Sequence, residues 1–209
     1  MSALLAGWLP VYAAPIEGDA LVSLGARPLG VGKVAATITL LSLLSHERPR
    51  GVLLFGVAGA YPVRHRDGAV LAVGDLCVVC EEMLADEGVA LPEGFRDLHA
   101  MGLGECGPFA ADGIVTAAIA QQLVLRSVRG ATVSTCSGND ELSLLLARRT
   151  NAEVETMEGA ALAMVCARAF VPFVQVRAIS NWTGDRGRGG FDLLRAAAVV
   201  QAAVRRLLA

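Results

Sequence analysis

The stretch from Val154 to Asn181, "VETMEGAALAMVCARAFVPFVQVRAISN", joins a helix-like run to a strand-like run, and both runs are almost entirely apolar. Two carboxylates, Glu155 and Glu158, stand at its start, and the amide of Asn181 stands at its end. Apolar runs without polar alternation are typical of elements that are buried on both faces. We therefore predict a buried helix and a buried strand, bracketed by an acid and an amide whose positions need a chemical explanation.

Similar apolar runs alternate with helix-like runs along the rest of the chain. The predicted strands cover residues 2–8, 18–26, 51–59, 74–82, 131–138 and 171–180, and the predicted helices cover residues 33–47, 111–127, 140–150, 157–170 and 191–208. This alternation predicts an α/β domain in which helices cover a central sheet on both faces. The longest irregular segment, residues 85–113, is expected to form a binding loop.

Length and charge narrow the class of protein. The chain has 209 residues, 54% of them hydrophobic, with no repeat and no linker, so we predict one domain over residues 1–209. The formal net charge is −2 and the basic residues are scattered, which gives no reason to expect a nucleic-acid partner. No apolar run approaches the roughly 20 residues that cross a membrane. The N-terminal run has no basic residue before Arg27, so we predict a first strand rather than a signal peptide.

The cysteines and histidines give no pattern typical of a disulfide or a metal site. Cys77 and Cys80 have CxxC spacing, but they lie in a predicted strand, where residues three apart face opposite sides. We therefore predict reduced thiols and a cytoplasmic protein. The histidines at positions 46, 65 and 99 lack ligand-like spacing, so no metal is expected.

Two glycine-rich turns are candidate ligand sites. "GVGKVAA" (30–36) has Val34 where a phosphate-binding P-loop needs Ser or Thr, and it lacks the acid of a dinucleotide site. Gly32 in this turn either presents backbone N–H groups to a ligand or makes a plain tight turn. "FGVAGAYP" (55–62) ends a predicted strand with small residues, Ala58 and Gly59 among them, which let a flat ligand approach the backbone.

The polar residues of the opening stretch have both structural and functional interpretations. Glu158 precedes an apolar helix, where a glutamate most often caps the helix or complements its dipole. Asn181 ends a strand, and ligands of open α/β sheets bind at the carboxyl ends of strands. Arg177 inside that strand needs a buried acid, and Glu155 is the candidate for a structural ion pair.

Together these motifs resemble a known family. "GVGKVAA", "GVAGA", "VGDLCVV" and "TMEGAALAMVCARAFVPFVQVRAISN" occur in the order of the nucleoside phosphorylase/nucleosidase superfamily, which includes methylthioadenosine/S-adenosylhomocysteine nucleosidase. Within it, residues 85–98, 132–138 and 180–192 are most similar to futalosine hydrolases. The resemblance implies a three-layer αβα sandwich with a central mixed sheet, a small-molecule nucleoside as substrate, no cofactor, and a homodimer or larger homo-oligomer.

The resemblance also implies an activity, with alternatives. The leading expectation is hydrolysis of the N-glycosidic bond of a 6-oxopurine nucleoside, with futalosine giving hypoxanthine. An adenine-releasing nucleosidase of the methylthioadenosine type and a purine nucleoside phosphorylase are the enzyme alternatives. A nucleoside-binding protein without catalysis is the non-enzyme alternative.

By the family pattern, the acid and the amide of the opening stretch bind the two halves of one substrate. Glu158 would accept hydrogen bonds from the ribose hydroxyls, Met157 would lie against the sugar, and Asn181 would face N7 and the 6-substituent of the purine. This suits a reaction in which the sugar gains positive charge and the base leaves with negative charge. The other residues expected around the substrate are Gly32, Ala58, Gly59 and Ser137.

The sequence departs from the family at two points. Family phosphorylases bind phosphate with an arginine ahead of the G-x-x-G-A turn and a serine within it, whereas this chain has Leu54 and Ala58 there. Family nucleosidases carry a glutamate soon after the first strand to orient or deprotonate water. Here no acid precedes Glu17, which lies beyond Pro15, so we expect it to matter less than a catalytic base should.

Overall fold

The computed structural model describes residues 3–63, 68, 70–185 and 190–209. Its strands are β1 (Trp8–Tyr12), β2 (Arg27–Pro28), β3 (Gly51–Ala60), β4 (Leu76–Leu84), β5 (Gly88–Leu91), β6 (Gly94–Asp97), β7 (Phe109–Ala110), β8 (Arg126–Thr132), β9 (Val154–Thr156) and β10 (Phe173–Trp182). Its helices are α1 (Pro15–Gly18), α2 (Lys33–His46), α3 (Gly113–Leu123), α4 (Asp140–Thr150), α5 (Gly159–Arg168) and α6 (Leu193–Leu208).

A mixed sheet of eight strands forms the centre of the fold. Its order is β10-β4-β8-β9-β3-β1-β2, with β7 beside β4, and β10 also pairs with β3. The pairs β1–β3, β3–β10 and β4–β8 are parallel, whereas β4–β10 and β3–β9 are antiparallel. The predicted α/β class and the central mixed sheet are confirmed.

Alternate residues of β3 face two different helical layers. Leu53 and Phe55 pack in a core that includes α6, whereas Val52 and Leu54 pack in a core that includes α2 and α5. Burial on both faces explains why β3 carries no polar alternation. Helices therefore lie on both sides of the sheet, as the sequence predicted.

Strand β10 is apolar on one face only. Val174, Val176 and Ala178 pack in the core beneath α6. On the opposite face, Phe173 packs in the α2–α5 core, and the next two residues of that face are Gln175 and Arg177. All three of these side chains are at most 4% exposed, so β10 brings a polar pair into the interior.

Three of the predicted strands are wrong in type or position. Residues 18–26 form a 3-10 helix (Asp19–Leu24), since Gly25 turns the chain at φ 91° and both Val22 and Leu24 are exposed. Within residues 2–8, Ala3–Leu5 form a 3-10 turn, and the first strand begins only at Trp8. The strand predicted at 131–138 is β8, which begins earlier and ends at Thr132.

The other elements lie close to their predicted positions. Helix α4 spans residues 140–150 as predicted, and the Asn139 side chain caps it by accepting from the Leu142 N–H. Helix α3 ends earlier than predicted because Val124 adopts the left-handed conformation. The irregular segment 85–113 contains the hairpin β5–β6, and Arg149 lies over its Phe95 ring at 3.9 Å.

The structure also describes the thiols and the candidates for membrane-spanning helices and metal ligands. The five cysteines are free thiols, and those of Cys77 and Cys80 donate to carbonyl groups of β10 and β8 respectively. Among the described residues, no helix is long and apolar enough to cross a bilayer. No cluster of metal-ligating side chains occurs in the same part of the chain.

Candidate active site

A cavity of about 310 Å³ lies where the carboxyl ends of β1, β3 and β10 meet β9. This is the edge at which α/β sheets bind ligands. The residues that line it are Ala13, Ala14, Ile16, Glu17, Val31, Val57, Ala58, Gly59, Cys136, Ser137, Glu155, Thr156, Met157, Glu158, Ser180, Asn181, Gly184, Phe191 and Leu193. The cavity is therefore a mostly apolar cleft with a few converging polar groups, which is typical of a small-molecule site.

Glu158 is held in this cavity by a distant backbone group. It occupies the N-cap position of α5, but its side chain makes no capping hydrogen bond. Its Oε1 instead accepts from the Gly32 N–H at 2.8 Å, and its Oε2 lies 3.9 Å from Arg177 Nη2. Burial raises the pKa of Glu158, while the charge of Arg177 and the Gly32 hydrogen bond oppose that rise. The structural interpretation of Glu158 as a helix cap is wrong.

Glu17 lies in the same cavity, although its distance from the first strand made its reach doubtful. It belongs to α1, a single turn after Ala14 that begins with Pro15 and folds the chain back over the end of β1. Its Oε2 accepts from the N–H groups of Ala13 (3.2 Å) and Ala14 (2.8 Å), and its Oε1 accepts from the Val57 N–H (2.8 Å). These bonds orient a carboxylate that is only 4% exposed.

Arg177 is anchored between the two carboxylates. Its Nε donates to Gln175 Oε1 at 3.2 Å, and its Nη1 donates to the Val57 carbonyl at 3.3 Å. The open side of Gly56 accommodates both Glu17 and Arg177, since a Cβ there would be 2.4 Å from Glu17 Oε1 and 3.0 Å from Arg177 Nη1. Buried Nη2 has no hydrogen-bond partner among the described residues. A donor of this kind points to a ligand or a water molecule.

Glu155 is not the ion-pair partner of Arg177, which corrects the sequence-based expectation. Its carboxylate accepts from the Ser137 N–H (2.9 Å), from the Ser137 hydroxyl and from the Tyr61 hydroxyl (3.0 Å). Burial and the nearby Glu155 charge raise the pKa of Tyr61. Glu155 therefore fixes the loop that carries Ser137 against β9, while Glu158 is the carboxylate nearest to Arg177.

Asn181 lies at the cavity with a defined amide orientation. Its Oδ1 accepts from the Ser180 hydroxyl at 2.8 Å, and its Nδ2 donates to the Trp182 carbonyl at 2.9 Å. A carboxamide has two lone pairs on oxygen and two hydrogens on nitrogen. Each end therefore keeps one position for a ligand.

Most of the remaining predicted residues also line the cavity. Met157, Ala58, Gly59 and Ser137 do so, and a Cβ at Gly59 would be 2.8 Å from Thr183 Cγ2. Gly32 does not line it, because its N–H is used by Glu158. Its turn thus binds a protein carboxylate in place of a ligand phosphate.

Sequence reasoning missed the apolar rim of the cavity. Ile16, Val31 and the pair Phe191 and Leu193 come from three separate segments, and the predicted binding loop 85–113 contributes no residue. Phe191 is 63% exposed, which is unusual for a large aromatic side chain. This exposure marks Phe191 as a candidate contact for a ligand. In the futalosine hydrolase-like stretch 180–192, residues 186–189 lie outside the described part of the chain.

Three buried carboxylates, those of Glu17, Glu155 and Glu158, line the cavity together with the amide of Asn181, and the buried guanidinium of Arg177 lies behind Glu158. Glu17 and Arg177 share the open side of Gly56, Glu158 lies next to Arg177, and Asn181 adjoins Gly59. Such a set accepts hydrogen bonds from hydroxyl groups, stabilises developing positive charge, and binds a heterocycle with paired donors and acceptors.

Comparison with known proteins identifies the family. The sequence profile of the phosphorylase superfamily matches residues 18–209. The futalosine hydrolase of Thermus thermophilus is 37% identical over 185 residues, which cover 86% of this chain and 79% of that protein.

Solved structures show the same fold. A 5'-methylthioadenosine/S-adenosylhomocysteine nucleosidase from Colwellia psychrerythraea, in complex with adenine, superposes with a TM-score of 0.79 at 22% identity, over 96% of this chain and 93% of that one. The futalosine hydrolase of Helicobacter pylori superposes with a TM-score of 0.78 at 20% identity, over 96% of both chains. The fold, the sequence profile and the Thermus relative agree, and the chain belongs to the phosphorylase superfamily.

Proposed function

We propose that this protein is a nucleosidase that hydrolyses the N-glycosidic bond of a 6-oxopurine nucleoside, with futalosine as the first candidate substrate. The observation that carries the proposal is that Glu17, Glu158 and Asn181 line one cavity of about 310 Å³. The 37% identity to the Thermus futalosine hydrolase supports the choice of substrate.

Glu158 and Met157 bind the ribose in this proposal. A buried carboxylate accepts hydrogen bonds from the sugar hydroxyls and stabilises the positive charge that grows at C1' as the bond breaks. Glu158 suits this role because Gly32 uses only one of its acceptor sites, and because Arg177 favours its charged form. Met157 lines the cavity next to it and supplies an apolar surface for the sugar.

Glu17 orients the attacking water and takes its proton. Backbone N–H groups hold Glu17 in place, and Arg177 Nη2, next to Glu158, has an unused donor. The C1'–N9 bond breaks with its electron pair going to the base, and the water oxygen bonds to C1'. One water proton goes to Glu17, and the leaving base takes a proton at N7 from solvent.

Asn181 selects a 6-oxopurine. Its free N–H faces O6, and its free lone pair faces the N7–H of the departing base. An amide is a poor acid, so it does not supply the proton that an adenine leaving group needs at N7. The hydrogen bonds to Ser180 and Trp182 support this orientation of the amide.

Water, and not phosphate, is the proposed nucleophile. Leu54 is fully buried in the α2–α5 core, and Ala58 presents only a methyl group to the cavity. The Val57 N–H, which belongs to the turn that binds phosphate in related phosphorylases, already donates to the Glu17 carboxylate. A phosphate ion at this place would be repelled by the Glu17 carboxylate, which already accepts from that N–H.

We further propose a homo-oligomer in the cytoplasm. The exposed face of α2 carries Val34 (74% exposed), Ile38 (64%) and Leu41 (51%), an apolar surface of the kind that subunit interfaces cover. The five free thiols agree with a reducing compartment. Light scattering of the purified protein tests the assembly, and a monomer at micromolar concentration would contradict it.

The activity is tested by incubating the protein with futalosine, inosine and methylthioadenosine, with and without phosphate, and identifying the free base and sugar by chromatography. We expect hypoxanthine and a free sugar from futalosine. Adenine from methylthioadenosine as the preferred product would favour the adenine-releasing nucleosidase. Tight binding of nucleosides without any base release would favour a binding protein.

A further inference from the structure

A buried carboxylate that takes no part in the proposed chemistry lies beneath the active site. Glu82 on β4 is 1% exposed. Its Oε1 accepts from the hydroxyls of Thr132 (2.8 Å) and Thr156, and its Oε2 accepts from Gln175 Nε2. A buried carboxylate is costly unless hydrogen bonds replace its hydration. Among the described residues, those bonds come from hydroxyls and an amide, which makes Glu82 the centre of a built polar network.

One branch of this network reaches the helix that follows Glu158. Thr132 Oγ1 accepts from the Ala160 N–H at 2.7 Å, and Thr156 Oγ1 accepts from the Gly159 N–H at 3.4 Å. Each hydroxyl thus stands between an N-terminal amide of α5 and Glu82. The favourable end of the helix dipole faces the carboxylate.

The glycine after Glu158 is explained by the same contact. A Cβ at Gly159 would lie 1.8 Å from Glu82 Oε2, and a Cβ at Gly130 would lie 2.8 Å from Glu82 Cδ. The carboxylate therefore fits against α5 only because these two positions have no side chain. Helix α5 begins in direct contact with Glu82, one residue after Glu158.

The second branch reaches Arg177. Gln175 Nε2 donates to Glu82, and Gln175 Oε1 accepts from Arg177 Nε at 3.2 Å. An ionised carboxylate only accepts hydrogen bonds, so it determines which end of the amide faces it. The amide oxygen is consequently turned toward Arg177, and Glu82 sets the position of the guanidinium through Gln175.

We propose that Glu82 and Gln175 are positioning residues for the hydrolysis, and that they hold Arg177 and the first turn of α5 in register behind Glu17 and Glu158. This inference rests on the proposed function. Neither residue lines the cavity, and Arg177 does not line it either, so both act on Thr156 and Glu158, which do.

The register matters because the guanidinium accompanies the carboxylate that binds the sugar. Its Nη2 lies 3.9 Å from Glu158 Oε2, and its Nη1 and the Glu17 carboxylate both occupy the space beside Gly56. Displacement of a catalytic group by about 1 Å costs up to about 100-fold in rate. A displaced guanidinium also removes the influence that lowers the pKa of Glu158.

The variants Gln175→Leu and Gln175→Glu test the network. Gln175→Leu keeps the volume but removes both hydrogen bonds, and Gln175→Glu places two carboxylates in contact. We expect each to lower kcat by about 10- to 100-fold, with little change in KM. The acid limb of the pH–rate profile should also move to higher pH, because Arg177 no longer favours the charged form of Glu158.

A reciprocal exchange serves as the rescue. In Glu82→Gln combined with Gln175→Glu, the amide oxygen at position 82 still accepts from both threonines, as Oε1 does now. Its NH2 group donates to the carboxylate at position 175, which in turn accepts from Arg177. We expect kcat to recover to within about threefold of the parent, although the single variant Gln175→Glu is impaired.

Glu153→Gln is the matched control. Glu153 is also a buried acid (7% exposed), but its partner is Arg129, and it lies outside the cavity. Its substitution should reduce stability without moving kcat or the pH profile. Gln175→Leu with parental kcat and an unchanged acid limb, or failure of the exchange to restore kcat in a folded protein, would overturn the positioning role. A parent protein that releases no base would contradict the proposed function instead.

Discussion

The Gly32 N–H donates a hydrogen bond of 2.8 Å to Glu158 Oε1 across 126 residues of chain. Gly32 has a φ of 90°, a conformation that favours glycine, and this directs its N–H at the carboxylate. The bond turns Glu158 away from the helix that it precedes and toward the cavity. A turn that resembles a nucleotide-binding loop thus serves to orient an acid of the protein itself.

Glu158→Gln should fold normally and lose at least about 100-fold in kcat, because the neutral amide no longer stabilises positive charge at the sugar. The amide oxygen still accepts the Gly32 N–H, so the position of the side chain is retained. Circular dichroism and steady-state kinetics on futalosine measure the two effects. Near-parental kcat in a folded variant would show that Glu158 has only a structural role.

The pH dependence follows from the raised pKa of Glu158. If the carboxylate is the active form, kcat/KM falls as the pH drops through a pKa above the ordinary value of 4.5. The folded state then binds this proton more tightly than the unfolded state, so the contribution of Glu158 to the free energy of unfolding decreases as pH rises through that window. Glu158→Gln should therefore gain stability relative to the parent with increasing pH, as measured by urea unfolding. A constant difference across pH would contradict the raised pKa.

Glu17→Gln should lower kcat by about 100-fold or more, the lower range for loss of a general base. The sequence alone favoured a minor role, but the cavity position and the three backbone donors favour a major one. The amide fills the same space, but its NH2 group faces a backbone N–H, so circular dichroism of the variant is needed to confirm that it is folded. If the variant keeps more than a tenth of the parental kcat, groups other than Glu17 activate the water.

Cleavage should be independent of phosphate. Leu54 and Ala58 stand where family phosphorylases have an arginine and a serine for phosphate, and the Glu17 carboxylate already accepts from the Val57 N–H of this segment. Rates in a phosphate titration should stay constant, and the sugar product should carry no phosphate at C1'. Formation of a sugar 1-phosphate would identify a phosphorylase.

Asn181→Asp should lose activity on futalosine and gain some on adenine nucleosides. The oxygen that replaces Nδ2 would face the Trp182 carbonyl at about 2.9 Å. Because two acceptors repel at that distance, the protonated acid is favoured, and an acid supplies the N7 proton that adenine needs. Sites built on such hydrogen bonds discriminate by up to about 10⁴-fold. Competition between both substrates on both proteins measures the change, and a parent that already prefers adenine nucleosides would refute this account of Asn181.

Local pattern and motif were sufficient for the class of fold and for much of the candidate site. The apolar run of β3 predicted a buried strand, because a strand covered on both faces by apolar layers has no polar alternation, and the mostly apolar run of β10 did so despite Gln175 and Arg177. The segment Asp19–Leu24 was wrongly predicted to be a strand, and it forms a 3-10 helix. Its apolar residues satisfy the strand pattern, but two of them are exposed, and exposure is set by the surrounding structure.

The sequence by itself determined the α/β class, the family resemblance, and the candidates Glu158, Met157 and Asn181, because these reside in one continuous motif. Only the tertiary structure decided which acids act together. Glu17 reaches the cavity because Pro15 begins a turn that folds back over β1. Arg177 pairs with Glu158 rather than Glu155 because Glu155 in β9 is turned toward Ser137 and Tyr61, while Glu158 lies past that strand at the start of α5. Glu82 and Gln175 are 93 residues apart and lie in different strands. Their hydrogen bond depends on the antiparallel register of β4 and β10, which no local pattern in the sequence specifies.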